Sequence, residues 1–132
     1  MAEILLIGLR ESVLGEDVYH VLASTLEQCY ALDRIELDHG QLSHLKCHLI
    51  VSPQKEPTII DFESASVGRK PNNVTAAANT FLAIKSLDLR MNYIVHKYQT
   101  EEIIRSLREY KKNMTRESFN KIIELFYSAI FS

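Results

Sequence analysis

Two short apolar runs, separated by a turn with two prolines, lie in the middle of a chain whose other patterns are mostly helical. Residues 48–51 (His-Leu-Ile-Val) and 58–62 (Thr-Ile-Ile-Asp-Phe) flank the segment 52–57, which contains both prolines. Runs of this kind on either side of a turn predict a small β-hairpin. A hairpin inside a helical body is an unusual arrangement, and polar residues suited to chemistry gather beside it. We therefore expect a mostly helical α+β fold.

Helical patterns surround the hairpin. A long helix is predicted from Glu16-Asp17, two acids suited to a helix N-terminus, to somewhere within residues 33–38. Its apolar residues recur at steps of three and four: Val18, Leu22, Leu26, Cys29 and Leu32. Before it, residues 2–9 read as a buried strand, and after it residues 39–46 read as a polar loop.

The second half of the chain is predicted to be helical after a loop over residues 63–73. We expect a helix over residues 74–86 with Asn73 as its N-cap and, after a linker over 87–98, a helix over 101–112 with Thr100 as its N-cap. Thr115 is expected to cap the last helix. Apolar stripes at helical spacing support the last two helices.

Composition narrows the class of protein. The 132 residues are 46% hydrophobic, which suits one globular domain over 1–132. Net charge is -2 and the cations are scattered among acids, so we expect no nucleic-acid partner. The apolar run 4–7 is too short to span a bilayer. Two cysteines without CxxC spacing indicate a reducing interior, so we expect a soluble, cytoplasmic protein without a membrane partner.

Asp61 follows the second β-branched run, where a carboxylate at a strand end can point into a cleft. Mg²⁺ prefers oxygen ligands, and one or two carboxylates plus substrate phosphates usually suffice to hold it. A motif this short more often marks only the end of a strand. What surrounds it, however, is informative: a long helix, then His39-Gly40-Gln41-Leu42, then the hairpin.

That succession resembles the catalytic half of protein kinases and of their aminoglycoside-kinase and RIO-type relatives, in which a long helix leads to a His-x-Asp-Leu loop, a hairpin and an Asp-Phe-Gly-type metal motif. Residues 59–66, Ile-Ile-Asp-Phe-Glu-Ser-Ala-Ser, and 69–75, Arg-Lys-Pro-Asn-Asn-Val-Thr, narrow the resemblance. They are similar to a group of small serine/threonine protein kinases found mainly in archaea. The resemblance is strong over residues 32–75 and implies the C-terminal lobe of a kinase-like fold.

The resemblance implies a role for several residues. Asp61 matches the metal-binding Asp, and His48 falls where kinases place the second metal ligand, usually Asn. His39 matches the architectural His of the catalytic loop. Gln41 occupies the place of the catalytic Asp, although an amide cannot accept the acceptor hydroxyl's proton. Two further residues are candidates: Asp38 as a substitute base, and Lys46 as the cation that balances the transferred phosphate.

The resemblance also implies the cofactors ATP and Mg²⁺. Residues 1–12 resemble the last strand of the N-lobe and the hinge, so Ile7, Gly8 and Leu9 would face the adenine ring. The sequence contains no glycine-rich phosphate loop and no Val-Ala-Ile-Lys-type strand. We therefore expect a kinase that is inactive or weak without an N-lobe. The implied partners are a protein substrate or the missing N-lobe, and the chain is also a candidate homo-oligomer.

Three other functions remain open. His39, His44 and His48, with Asp61, are candidate zinc ligands, although no HExxH helix places them on one face. A non-catalytic interaction module is the second alternative, because Gln41 at the base position is typical of a degenerate kinase and fold does not fix function. A nuclease or phosphatase is the third, with Asp61, Glu63 and Asp38 as its carboxylates.

Overall fold

The long helix predicted after Gly15 is present as α1, Gly15–Arg34, in the computed structural model, which describes residues 15–84 and 97–131. Its buried side chains recur at steps of three and four along one face: Val18, Val21, Leu22, Thr25, Leu26, Cys29, Tyr30 and Asp33. The stripe ends differently from the prediction. Leu32 is partly exposed and the carboxylate of Asp33 is buried instead.

The predicted hairpin is present as two antiparallel strands, β1 (Leu49–Val51) and β2 (Pro57–Ile59). Both strands are shorter than predicted, and Pro57 belongs to β2 rather than to the turn, paired with Val51. The side-chain amide of Gln28 on α1 donates to the carbonyl oxygen of Pro57 (2.8 Å) and accepts from the amide of Ile59 (3.3 Å). It thereby satisfies backbone groups on the strand edge, which would otherwise be unpaired.

Between α1 and the hairpin, the segment predicted as a loop contains a 3-10 helix, Leu42–Cys47. Helix α2, Asn73–Ile84, follows the loop after the hairpin. Asn73 is not its N-cap, because Asn73 is already the first helical residue. The carboxylate of Asp33 accepts instead from the backbone amides of Asn73 (3.0 Å) and Val74 (3.4 Å).

Helices α3 (Lys97–Asn113) and α4 (Arg116–Phe131) pack together across the short connection Met114-Thr115. Their buried side chains include Ile103, Leu107, Tyr110, Phe119, Ile122, Phe126, Ala129 and Ile130. Thr100 lies within α3 rather than at its N-cap, so that prediction is wrong. Thr115 caps α4 as predicted, since its hydroxyl accepts from the amide of Ser118 at 3.1 Å.

The chain divides into two compact units, residues 1–80 and 81–132. The first contains α1, the hairpin and the 3-10 helix, and the second contains α3 and α4. The described part of the chain is mostly helical with a small antiparallel sheet, which agrees with the predicted α+β class. The prediction of a single domain over 1–132 stays a prediction. The predicted strand over 2–9 and most of the linker over 87–98 lie outside the described residues.

None of the helices within residues 15–84 and 97–131 combines the length and apolar character needed to cross a bilayer.

Candidate functional site

His39 joins the loop after α1 to the segment that carries Asp61. Its side chain is completely buried, and its Nε2 lies 2.9 Å from the carbonyl oxygen of Ile60. Its Nδ1 accepts from the backbone amide of Gln41 at 3.3 Å. Because a carbonyl oxygen can only accept, the proton of the neutral ring is on Nε2. Both ring nitrogens are therefore committed to backbone groups.

The His39 ring also contacts two other rings of the site. Its centroid lies 4.8 Å from that of Phe62 and 5.3 Å from that of His48, in both cases edge to face. Edge-to-face contacts of this kind fix the relative orientation of the rings. His39 thus touches the residues on either side of Asp61 and the residue that faces Asp61.

His48 and Asp61 face each other across a short gap. His48 is nearly buried, and its Nε2 lies 3.9 Å from Oδ2 of Asp61. The other ring nitrogen, Nδ1, lies 2.9 Å from the carbonyl oxygen of His44. The structure therefore brings the two predicted metal ligands together, even though they are separated by the whole hairpin.

The backbone at Asp61 has an unusual conformation. Its φ is 62°, in the left-handed region that non-glycine residues rarely adopt, although Asp tolerates it better than most. The carboxylate is half exposed, and its Oδ1 lies 3.4 Å from the amide of Glu63, a weak hydrogen bond. Strained backbone is common at ligand sites, where surrounding contacts hold it in place. In this conformation Oδ2 lies 3.9 Å from Nε2 of His48, and the side chain of Asp61 is half exposed.

The predicted base positions are engaged in other contacts. Gln41 Nε2 donates to the hydroxyl of Ser64 at 2.8 Å. Asp38 is nearly buried, and its Oδ2 accepts from Nε of Arg69 (2.9 Å) while its Oδ1 accepts from the amide of Asn72 (3.0 Å). Both carboxylate oxygens of Asp38 are therefore occupied, which limits its use as a general base.

Arg69 holds the loop after Asp61 against the loop after α1. Besides its contact with Asp38, its Nη2 donates to the carbonyl oxygen of Ser64 at 2.6 Å. Asp38 and Ser66 exchange two backbone hydrogen bonds, each 2.9 Å, which fix the same two loops together. Arg69 is thus committed to this junction through its Nε and Nη2.

Gly40 lies where these two loops touch. Its φ is 93°, and a Cβ added there would lie 2.6 Å from Nη2 of Arg69 and 2.9 Å from the carbonyl oxygen of Ser64. Both the conformation and the close approach require glycine. The structure therefore requires glycine between His39 and Gln41, whether or not this loop takes part in catalysis.

The remaining predicted residues lie elsewhere. Lys46 is on the 3-10 helix with its side chain exposed. Ile7, Gly8 and Leu9, predicted to face adenine, lie outside the described residues. A pocket of about 110 Å³ opens beside the loop, lined by Asp38, Gly40, Leu42, Ser43, Asn72, Asn73 and Ala76. That volume is well below the roughly 300 Å³ at which drug-sized ligand sites begin.

The donor set at the gap fits a divalent ion with two protein ligands. Mg²⁺ is usually held by one or two carboxylates plus phosphate and water, so Asp61 alone meets that count and His48 adds a nitrogen donor. The zinc alternative fails because both nitrogens of His39 are already hydrogen-bonded. Across residues 15–84 and 97–131, no group of three or more His, Cys, Asp or Glu side chains is arranged to hold a metal. Asp61, Glu63 and Asp38, the carboxylates of the nuclease alternative, likewise form no such group within the described residues.

Two contributors to the site were missed at the sequence level. Ser64, whose hydroxyl accepts from Gln41, directly follows the Asp-Phe-Glu motif, and this position could have identified it as a site residue. Asp33 accepts from the amide and the Nδ2 of Asn73, and Asn73 in turn accepts from the amide of His39 at 2.8 Å. No sequence pattern links positions 40 residues apart, so the sequence does not identify Asp33 as a contributor to the site.

Comparison with protein-family models, with curated proteins and with solved structures gave no significant match.

Proposed function

We propose that this chain is the C-terminal lobe of an ATP- and Mg²⁺-dependent serine/threonine protein kinase of the small archaeal-type group that it resembles. The observation that best supports this is the placement of His39, which hydrogen-bonds the residue before Asp61 and packs against the residue after it. That is the supporting role the resemblance implies for the catalytic-loop His. Phosphate transfer by this lobe would be weak or absent without an N-lobe to grip the nucleotide.

Each of four side chains has a role in this proposal. Asp61 and His48 would hold the metal ion, which would neutralise charge on the nucleotide phosphates. His39 is a positioning residue that fixes the loop and the metal motif relative to each other. Gln41 orients the acceptor hydroxyl, as its amide already does with the hydroxyl of Ser64. Phosphoryl transfer depends chiefly on positioning and charge neutralisation, so a site without a free carboxylate base is slow rather than chemically forbidden.

Nucleotide binding with and without Mg²⁺ tests the proposal. The affinity of wild-type protein for a fluorescent ATP analogue should rise when Mg²⁺ is added, and Asp61→Ala should abolish that rise. Glu63→Ala is the matched control, because it removes an exposed carboxylate two residues away and should keep the response. Wild-type protein without a magnesium-dependent affinity, even after an N-lobe is supplied in trans, would exclude a kinase.

A non-catalytic, kinase-like scaffold is the second candidate, and one observation favours it. Gln41 has an amide in place of a carboxylate and is bonded to Ser64. The carboxylate of Asp38 is paired with Arg69, so neither residue offers an unengaged carboxylate as the base. A scaffold would keep its fold and its protein partners after Asp61→Ala. A kinase lobe would lose metal-dependent nucleotide binding with the same substitution. The partner would be a protein substrate, the N-lobe or a second copy of the chain.

A further inference from the structure

The imidazole of His48 has a defined tautomer. Its Nδ1 lies 2.9 Å from the carbonyl oxygen of His44, which can only accept, so Nδ1 carries a proton. In the neutral ring, Nε2 then has a lone pair. A histidine that donates one ring N–H to a backbone carbonyl while the other nitrogen faces outward has the arrangement found in most metal-ligating histidines.

Nε2 of His48 faces Oδ2 of Asp61 at 3.9 Å, so two electron-pair donors point into one gap. The distance is too long for a direct hydrogen bond. It is shorter than the sum of two metal–ligand bonds, about 4.2 Å, so one ion can contact both atoms. A cation between these atoms removes their repulsion, and the weak hydrogen bond from the amide of Glu63 to Oδ1 restrains the carboxylate.

The two donors differ in chemistry from a pure oxygen site. Mg²⁺ prefers oxygen ligands and gives up water reluctantly, whereas first-row divalent ions accept imidazole nitrogen. The resemblance implies an Asn oxygen at this place, and this chain supplies a nitrogen. We infer that the Asp61–His48 pair binds Mn²⁺ in preference to Mg²⁺. The inference rests on the proposed role of Asp61 as the metal-binding carboxylate and adds the identity of its ion.

Paramagnetic line broadening in the ¹⁵N-labelled full chain tests the inference without any activity measurement. Substoichiometric Mn²⁺ should broaden the amide signals of His48 and of residues 60–63 before others. Reversing half of the broadening should require an Mg²⁺ concentration about tenfold or more above that of Mn²⁺. Asp61→Asn should abolish the local broadening.

Two histidine variants isolate the nitrogen donor. His48→Asn should keep Mn²⁺ binding through Asp61 but reduce the preference over Mg²⁺ to within about threefold. His44→Ala is the matched control, since it keeps the backbone carbonyl that bonds Nδ1 of His48, and it should keep the full preference. If His48→Asn does not fold, as judged by its circular dichroism, the wild-type competition alone decides.

The outcomes separate this inference from the kinase proposal. Equal reversal by Mg²⁺ and Mn²⁺ would overturn the inference, while a magnesium-dependent nucleotide affinity would leave the kinase proposal standing. Absence of broadening near His48 would mean that no Mn²⁺ binds in the gap, and would also overturn the inference. Selective Mn²⁺ binding without nucleotide binding would support the inference and count against a kinase.

Discussion

At the scale of single residues, His39 makes several specific contacts in the candidate site. It is buried, its two nitrogens are hydrogen-bonded to Ile60 and Gln41, and its ring packs against Phe62 and His48. Buried polar groups with all partners satisfied fix one conformation, while loss of such a group leaves its partners unpaired. The stability of the site should therefore depend strongly on this side chain.

His39→Ala should lower the free energy of unfolding by about 3 kcal/mol, because it removes two hydrogen bonds and leaves a cavity. Urea denaturation followed by circular dichroism measures the change. His20→Ala is the control: His20 is half exposed and pairs with Glu56 on the surface, so its loss should cost below about 1 kcal/mol. Equal costs for the two variants would show that His39 does not have the structural role described here.

The two cysteines should differ in reactivity. Burial, and after it the negative charge of Asp33, raise the pKa of the Cys29 thiol well above its ordinary range, so no thiolate forms at neutral pH. Cys47 is exposed. A thiol reagent such as 5,5′-dithiobis(2-nitrobenzoate) should modify one thiol per chain in the native protein. Native Cys47→Ser should show no such reaction. A second thiol of the wild-type chain should react only after unfolding. Rapid modification of two thiols in native wild type would contradict the buried environment of Cys29.

At the scale of elements, the start of α2 is fixed by tertiary contacts rather than by a local cap. Asp33 from the end of α1 accepts from the backbone amides of Asn73 and Val74, and the side chain of Asn73 donates to Asp33 and to the carbonyl oxygen of Leu37. A carboxylate at a helix N-terminus also interacts favourably with the helix dipole. The ends of α1 and α2 are thus joined by one buried polar network.

Asp33→Ala should lower the free energy of unfolding by about 3 kcal/mol, since it leaves helix amides and the Asn73 amide without a buried acceptor. Glu27→Ala removes an exposed carboxylate from the same helix and should cost below about 1 kcal/mol. Combining Asp33→Ala with Asn73→Ala should cost clearly less than the sum of the single changes, because the two side chains share bonds. Additive costs in urea denaturation would argue against the network.

The elements also show which features local sequence can specify. Two short apolar runs around a turn with prolines predicted the hairpin, and the ends of its observed strands lie within three residues of the predicted ones. The 3-10 helix Leu42–Cys47 was missed, because short polar segments have no clear periodicity and their hydrogen bonds are weak. Local sequence predicts Asn73 as the cap of α2, because it shows only residues next to the helix start. The group that accepts from the first helix amide is the carboxylate of Asp33, 40 residues away.

At the scale of the whole molecule, charge is nearly balanced. The chain has 15 Lys and Arg against 17 Asp and Glu. Helix α3 shows the mixture locally: exposed Arg105, Arg108, Lys111 and Lys112 alternate with exposed Glu101, Glu102 and Glu109. Binding to a polyanion requires several cations on one face, because its free energy comes largely from counterion release.

The protein should therefore elute from heparin below about 150 mM salt, where the interactions of scattered surface charges are largely screened. The triple variant E101K, E102K and E109K turns α3 into a continuous basic surface and should be retained to higher salt. The variant shows that the column detects a basic helix on this chain. Retention of wild-type protein at the higher salt would contradict the prediction that nucleic acid is not a partner.

Patterns over a few neighbouring residues predict the long helices, the hairpin and the candidate positions Asp61 and His39. Which polar groups meet depends instead on how the elements pack. The tertiary structure placed His48 against Asp61, committed both nitrogens of His39 to backbone groups, and paired Asp38 with Arg69. Local periodicity therefore identified candidates for the site but could not show which of them act together.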